Sequence, residues 1–193
     1  RNGFTRELLM KTTFDWQRWL VHFGAWITLA ALALNYFFNP ANINPILTFE
    51  HQTGKAALVF ILLSLTCSPL SSIMGWKVVG KRKKALGVYG FMFAAVHLLI
   101  FLGLDYGFQF KSVWSTVKYS VYLWIGLAAF VMLLALAATS FKKLKQAMKK
   151  NWKRLHRLVY VIAPLVVIHF ILVVKGNIFT LQGALKEPLI YGS

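Results

Sequence analysis

One cysteine, Cys67, in 193 residues excludes an intramolecular disulfide framework and any Cys-rich zinc or iron–sulfur site. Acidic residues are scarce too: five Asp and Glu stand against 22 Lys and Arg, a net charge of +17 with the five His neutral. Charged residues make up only 14% of the chain, whereas 58% are hydrophobic and the mean hydropathy is +0.60. That composition excludes a disordered chain and an ordinary soluble domain. No G-x-G-x-x-G turn follows a strand-like run, and these residues leave no room for a soluble dehydrogenase domain, so no nicotinamide-binding domain is expected. A pI near 10.3 usually points to nucleic acid or an anionic surface. Here the basic clusters alternate with long apolar runs, which makes them markers of one side of a bilayer and argues against a nucleic-acid partner. Any chemistry has to use histidine or a bound cofactor.

A bilayer core of roughly 30 Å needs about 20 apolar residues in helix. Five stretches meet that length: Trp19–Phe38, Ala56–Met74, Ala85–Leu104, Tyr119–Thr139 and Leu158–Val174, none containing Asp, Glu, Lys or Arg. Because a helix satisfies its own backbone in lipid, the expected fold is an all-α membrane bundle of five spans. Residues 1–193 read as one transmembrane domain with no internal repeat. The last residues, Glu187 to Ser193, read as the entrance to another apolar span, so six helices are expected in the full-length protein.

The loops carry charge unevenly. Lys77, Lys81, Arg82, Lys83 and Lys84 follow the second span, and eight Lys and Arg between Lys142 and Arg157 follow the fourth. The loop from Asn39 to Glu50 has no Lys or Arg, and that from Asp105 to Lys118 has only Lys111 and Lys118. The positive-inside rule then puts the basic loops and the N-terminus of a multi-pass protein in the cytoplasm and the opposite loops toward the periplasm or cell exterior, with lipid contacts at the basic loops.

Ionisable side chains within a span point to function, and histidines are the candidates here. His97 lies 12 residues beyond Ala85 and His169 lies 12 beyond Arg157, so at about 1.5 Å per residue both sit roughly 18 Å from the cytoplasmic edge. Two imidazoles at one depth on different helices are what a six-coordinate haem requires; hydrogen-bonded interhelical histidines are the alternative. Each ligating ring would give its other N–H to a carbonyl or hydroxyl. His156, 13 residues before His169, sits at the basic boundary, where it is either an interfacial residue or a ligand of a second, inner haem. Arg82, Lys83, Lys84, Arg154 and Arg157 are the candidate propionate or inner-haem contacts. On an ideal helix His156 and His169 stand roughly 140° apart, and Pro164 between them alters the winding or the two macrocycles lie on different sides. His51 has two readings, a quinone or outer-partner contact and a satisfied interfacial residue; His22 likewise either supports an inner haem or only packs.

Three runs carry a resemblance: Ala85-Leu-Gly-Val-Tyr-Gly-Phe-Met-Phe-Ala-Ala-Val-His97-Leu, Trp152-Lys-Arg-Leu-His156-Arg-Leu-Val-Tyr, and Pro164-Leu-Val-Val-Ile-His169-Phe. Together they resemble the ferric-reductase-like transmembrane domain. His51-Gln-Thr-Gly54-Lys-Ala-Ala-Leu58, Thr66-Cys-Ser-Pro69-Leu and Glu187-Pro188-Leu-Ile-Tyr191 narrow the likeness to the haem-binding membrane subunit of the bacterial periplasmic methionine-sulfoxide reductase system. The likeness runs from about Trp16 to the end. It implies a b-type haem between spans three and five on His97 and His169, with His156 near an inner haem. The wider family has two His on each of those helices. Here the inner position of span three is Lys83 or Lys84, so a lysine, His22, or no second haem fits equally.

The resemblance implies a redox subunit of an oxidoreductase system. It would bind one haem b or two, take electrons from quinol or a separate flavoprotein, and pass them to a periplasmic molybdopterin reductase. The alternative is an accessory or structural subunit, with haem or without, of a larger respiratory or photosynthetic membrane complex. Proton-coupled transport is disfavoured, because the five predicted spans contain no carboxylate.

Overall fold

The computed structural model describes residues 16–41 and 43–190, and the side chains of these except at 77 and 175–190. Among the described residues the structure is helical, with no strand. Helix α1 spans Trp16–Phe38, α2 Pro45–Ile73, α3 Lys77–Gly80 and α4 Lys83–Leu99, which continues as a π-helical turn over Ile100–Asp105. Then follow α5 (Phe110–Tyr119), α6 (Val121–Ala138), α7 (Lys142–Met148), α8 (Lys150–His156) and α9 (Val159–Ile190). Five segments are long and apolar enough to cross a membrane: Trp16–Phe38, Pro45–Ile73, Val78–Asp105, Val121–Ala138 and Lys150–Val174. The chain is therefore the multi-pass helical membrane protein that its apolar runs imply. The sixth span expected after 187–193 falls outside the described residues.

The second span differs most from its sequence reading. It begins at Pro45, where the Asn44 side chain accepts a hydrogen bond from the Leu47 N–H at 3.1 Å and proline opens the first turn. Hydropathy alone starts this span at Ala56, because Glu50, His51 and Lys55 interrupt the apolar run. The cap outweighs that interruption, and the helix carries those three residues with it. At the other end α3 and the neighbouring α7 and α8 hold the basic residues; we call this the basic end, and the opposite one, with the start of α2, the π-helical turn and α5, the far end.

Long apolar side chains cover the outside: Phe37 and Phe38 are 72% and 75% exposed. In lipid this is the stable arrangement, because hydrocarbon is the solvent. Helix contacts are instead made by small residues and tight packing. A Cβ at Gly90 on α4 would stand 2.9 Å from Ile61 Cγ1 on α2, so only glycine lets these helices approach so closely. One buried cluster joins Ile61, Leu133, Leu136 and Ile162 from α2, α6 and α9, and a second joins Ala25, Ala57 and Phe93 from α1, α2 and α4. The most extensive pairings are α2 with α4 and α6 with α9. Each brings one histidine-bearing helix against a partner, and the two pairs face one another.

Candidate functional site

A cavity of about 890 Å³ opens between the two helix pairs. His97 from α4 and His169 from α9 both line it, with ring centroids 6.4 Å apart and ring planes crossed at 76°. His97 donates its Nδ1–H to the carbonyl of Glu50 on α2 at 2.9 Å. His169 donates its Nδ1–H to the carbonyl of Tyr122 on α6 at 2.7 Å. A carbonyl oxygen only accepts, so both rings carry their proton on Nδ1 and keep the Nε2 lone pair for a ligand.

An imidazole nitrogen binds a transition metal at roughly 2 Å, so two rings with centroids 6.4 Å apart would leave room for one metal ion between them. The carbonyl bonds are the supports that metal-bound histidines use to fix tautomer and orientation. The walls suit an apolar macrocycle: Ala94, Phe130, Leu133 and Val166 line the space. These residues fit a bis-histidine haem. Among the described residues no group of three or more His, Cys, Asp or Glu gathers as a bare metal site.

The π-helical turn directly follows the His97 helix. Its wider winding sends Phe101, Leu102 and Asp105 to the cavity wall, a local irregularity of a kind often found at functional sites. Glu50, His51 and Lys55 reach the same wall from α2. Helix α5 closes the far end with Phe110, Val113, Trp114 and Val117, and is tied down by a hydrogen bond from Tyr106 Oη to Thr116 Oγ1 at 3.0 Å. Carboxylates are thus present beside the spans' cavity, which the apolar runs by themselves do not show.

The basic end is built differently. His156 lies outside the cavity, with its ring 4.2 Å from that of Trp152 and its Nε2 3.4 Å from Thr139 Oγ1. Trp152 donates its Nε1–H to the Thr139 carbonyl at 3.0 Å, and Lys145 Nζ stands 4.5 Å from the Trp152 ring. A turn at Arg157 and Leu158 separates α8 from α9, so His156 and His169 do not share one helix. His22 Nδ1 is bonded to the Tyr89 hydroxyl at 2.6 Å, away from the cavity. Lys83 Nζ donates to Ser68 Oγ at 2.7 Å. Of the candidate propionate contacts, Arg82, Lys83, Lys84, Arg154 and Arg157, none lines the cavity, whose lysine is Lys55.

Sequence reading missed Gly54 and Gly126, which touch the two rings, and the two carbonyl acceptors. Nothing in the sequence marks Glu50 or Tyr122 as an acceptor; the structure shows that each histidine follows its acceptor by 47 residues.

A histidine pair held by carbonyls in a cavity among charge-poor spanning helices makes this a helical membrane protein with a site that could hold a redox group inside the bilayer. The family model "Ferric reductase like transmembrane component" matches residues 25–167, and the chain belongs to that family. It is 36% identical over 149 residues to the protein-methionine-sulfoxide reductase heme-binding subunit MsrQ of Rhodospirillum rubrum, covering 77% of this chain and 68% of that one. Against the same subunit of Xanthomonas euvesicatoria pv. vesicatoria it is 35% identical over 91% of this chain and 72% of the relative. For Xanthomonas oryzae pv. oryzae the identity is 33%, over 89% and 78%. No solved structure matches the chain.

Proposed function

We propose that this protein is a haem b-binding electron-transfer subunit of a methionine-sulfoxide reductase system, with one haem held between His97 and His169. The single observation that carries the reading is the pair of rings 6.4 Å apart, each donating Nδ1–H to a carbonyl, in one cavity. Relatives named as heme-binding subunits of that reductase support it.

Bound haem supplies one-electron chemistry at iron. The chain's own residues do the rest. His97 and His169 would hold the iron through Nε2, and the Glu50 and Tyr122 carbonyls keep the proton of each ring on Nδ1. Apolar walls keep water from the metal. Lys55 on the cavity wall would give haem propionates a counter-charge, and Trp114 on α5 lines the far side. With the basic loops and the N-terminus in the cytoplasm of an inner membrane, the far end faces the periplasm, where the reductase accepts electrons. The donor is quinol or a cytoplasmic flavoprotein, and His51 on the cavity wall is the residue for a quinone contact.

A reduced-minus-oxidised absorption spectrum of the detergent-purified protein, with haem counted per chain by pyridine haemochrome, tests the proposal. A b-type α-band with about one haem per chain is the expected result. A folded, monodisperse protein that stays colourless after haem supplementation overturns it.

A further inference from the structure

The two histidines are seated by the same device used twice. In each case the carbonyl acceptor lies 47 residues before the histidine, and a glycine lies four residues after that acceptor: Glu50 with Gly54, and Tyr122 with Gly126. Along a helix the carbonyl of one residue already bonds the N–H four residues on, and the side chain at that later position leans back over the carbonyl. Any side chain there blocks a neighbouring imidazole. Glycine leaves a notch, through which the ring reaches the carbonyl as a second donor.

The distances show how tightly the notches are filled. A Cβ on Gly54 would lie 3.2 Å from His97 Nδ1 and 3.3 Å from its Cε1. On Gly126 it would lie 2.7 Å from His169 Cε1 and 2.9 Å from its Nδ1, closer than non-bonded atoms tolerate. Neither ring can yield cheaply, because withdrawing it stretches its bond to the carbonyl. Gly24, by contrast, has nothing within 4 Å of such a Cβ.

From this geometry we infer that Gly54 and Gly126 are positioning residues, which set the tautomer of His97 and His169 and hold their planes crossed at 76°. The inference rests on the haem reading above. Crossed imidazole planes leave the iron d-orbitals of π symmetry nearly equal in energy, and parallel planes split them. A ferric haem held between rings so crossed would give a low-spin electron paramagnetic resonance signal with an unusually large g-max. An added methyl that tilts or turns one ring lowers that value and shifts the midpoint potential.

The experiment compares the full chain with Gly126→Ala, Gly54→Ala and Gly24→Ala, each purified in detergent and loaded with haem b, by haem titration, low-temperature electron paramagnetic resonance and redox titration. The wild type and Gly24→Ala are expected to share a large g-max and one potential. Gly126→Ala is expected to bind haem on the order of 10- to 100-fold more weakly, as losses of ligand support do. It should also lower g-max or add a high-spin signal. Gly54→Ala should move the same way by less, because its contact is looser. If Gly126→Ala fails to fold, Gly54→Ala decides alone. Wild-type g-max and potential in both cavity variants, or equal changes in Gly24→Ala, overturn the inference. A wild type that takes up no haem fails the haem reading instead, and that result is separate from any difference among the variants.

Discussion

The cavity side of the bundle and its basic end each contain histidine, tryptophan and lysine, yet they treat them in opposite ways. At the cavity, His97 and His169 are bonded only through Nδ1 to main-chain carbonyls, and their other nitrogen is left for a ligand. At the basic end, His156 lies tilted against Trp152 with its Nε2 beside Thr139, and His22 is bonded to Tyr89. A hydroxyl partner donates or accepts and so leaves the tautomer of His22 and His156 open, whereas a carbonyl only accepts and fixes the proton of both cavity rings on Nδ1. Residue type alone does not separate the four rings; the partner of the bonded nitrogen and the space beside each ring do.

The largest expected effect breaks the comparison at the cavity. His169→Ala or His97→Ala should abolish stable haem binding, a loss well beyond the roughly 10- to 100-fold typical when only a supporting group is removed. Haem per chain by pyridine haemochrome reads it, and a variant that keeps the full complement and spectrum removes that histidine from the site. Next comes the packing between the two regions. Phe93 is fully buried and stacked on Phe60 at 5.2 Å, so Phe93→Ala should cost about 3 kcal/mol, visible as a lower thermal midpoint in detergent. An unchanged midpoint would mean that α1, α2 and α4 are not held together there.

Smaller effects sharpen the basic end. Removing the His22 partner with Tyr89→Phe should cost about 1 kcal/mol of stability and leave haem content alone. The smallest change is expected from His156→Ala, which should retain the wild-type haem count and g-max. Half the wild-type count in that variant would show a second, inner haem and erase the difference between the two ends.

Parts of this were legible without coordinates. The apolar runs locate five spans, since backbone satisfaction in lipid leaves helix as the available form. The equal depth of His97 and His169 follows from counting residues, because a helix rises by a fixed amount per residue. The start of α2 was not legible from hydropathy, which reads Glu50, His51 and Lys55 as loop although an Asn44 cap carries the helix through them. The winding of Ile100–Asp105 was hidden as well, since an extra residue in a turn leaves apolar composition unchanged. Sequence places His156 at the basic boundary but leaves its partner open; the turn at Arg157 and Leu158 ends α8, and the ring lies against Trp152.

The sequence by itself determined the solvent, the number of spans in the described chain, the basic and far ends, and the depth of the paired histidines. All of these depend on local quantities: hydropathy, charge and rise per residue. Tertiary structure decided which nitrogen each histidine keeps, which carbonyl holds it, and why glycine stands at 54 and 126. Those depend on contacts between helices 47 residues apart in sequence, and no local pattern records what a missing side chain makes room for.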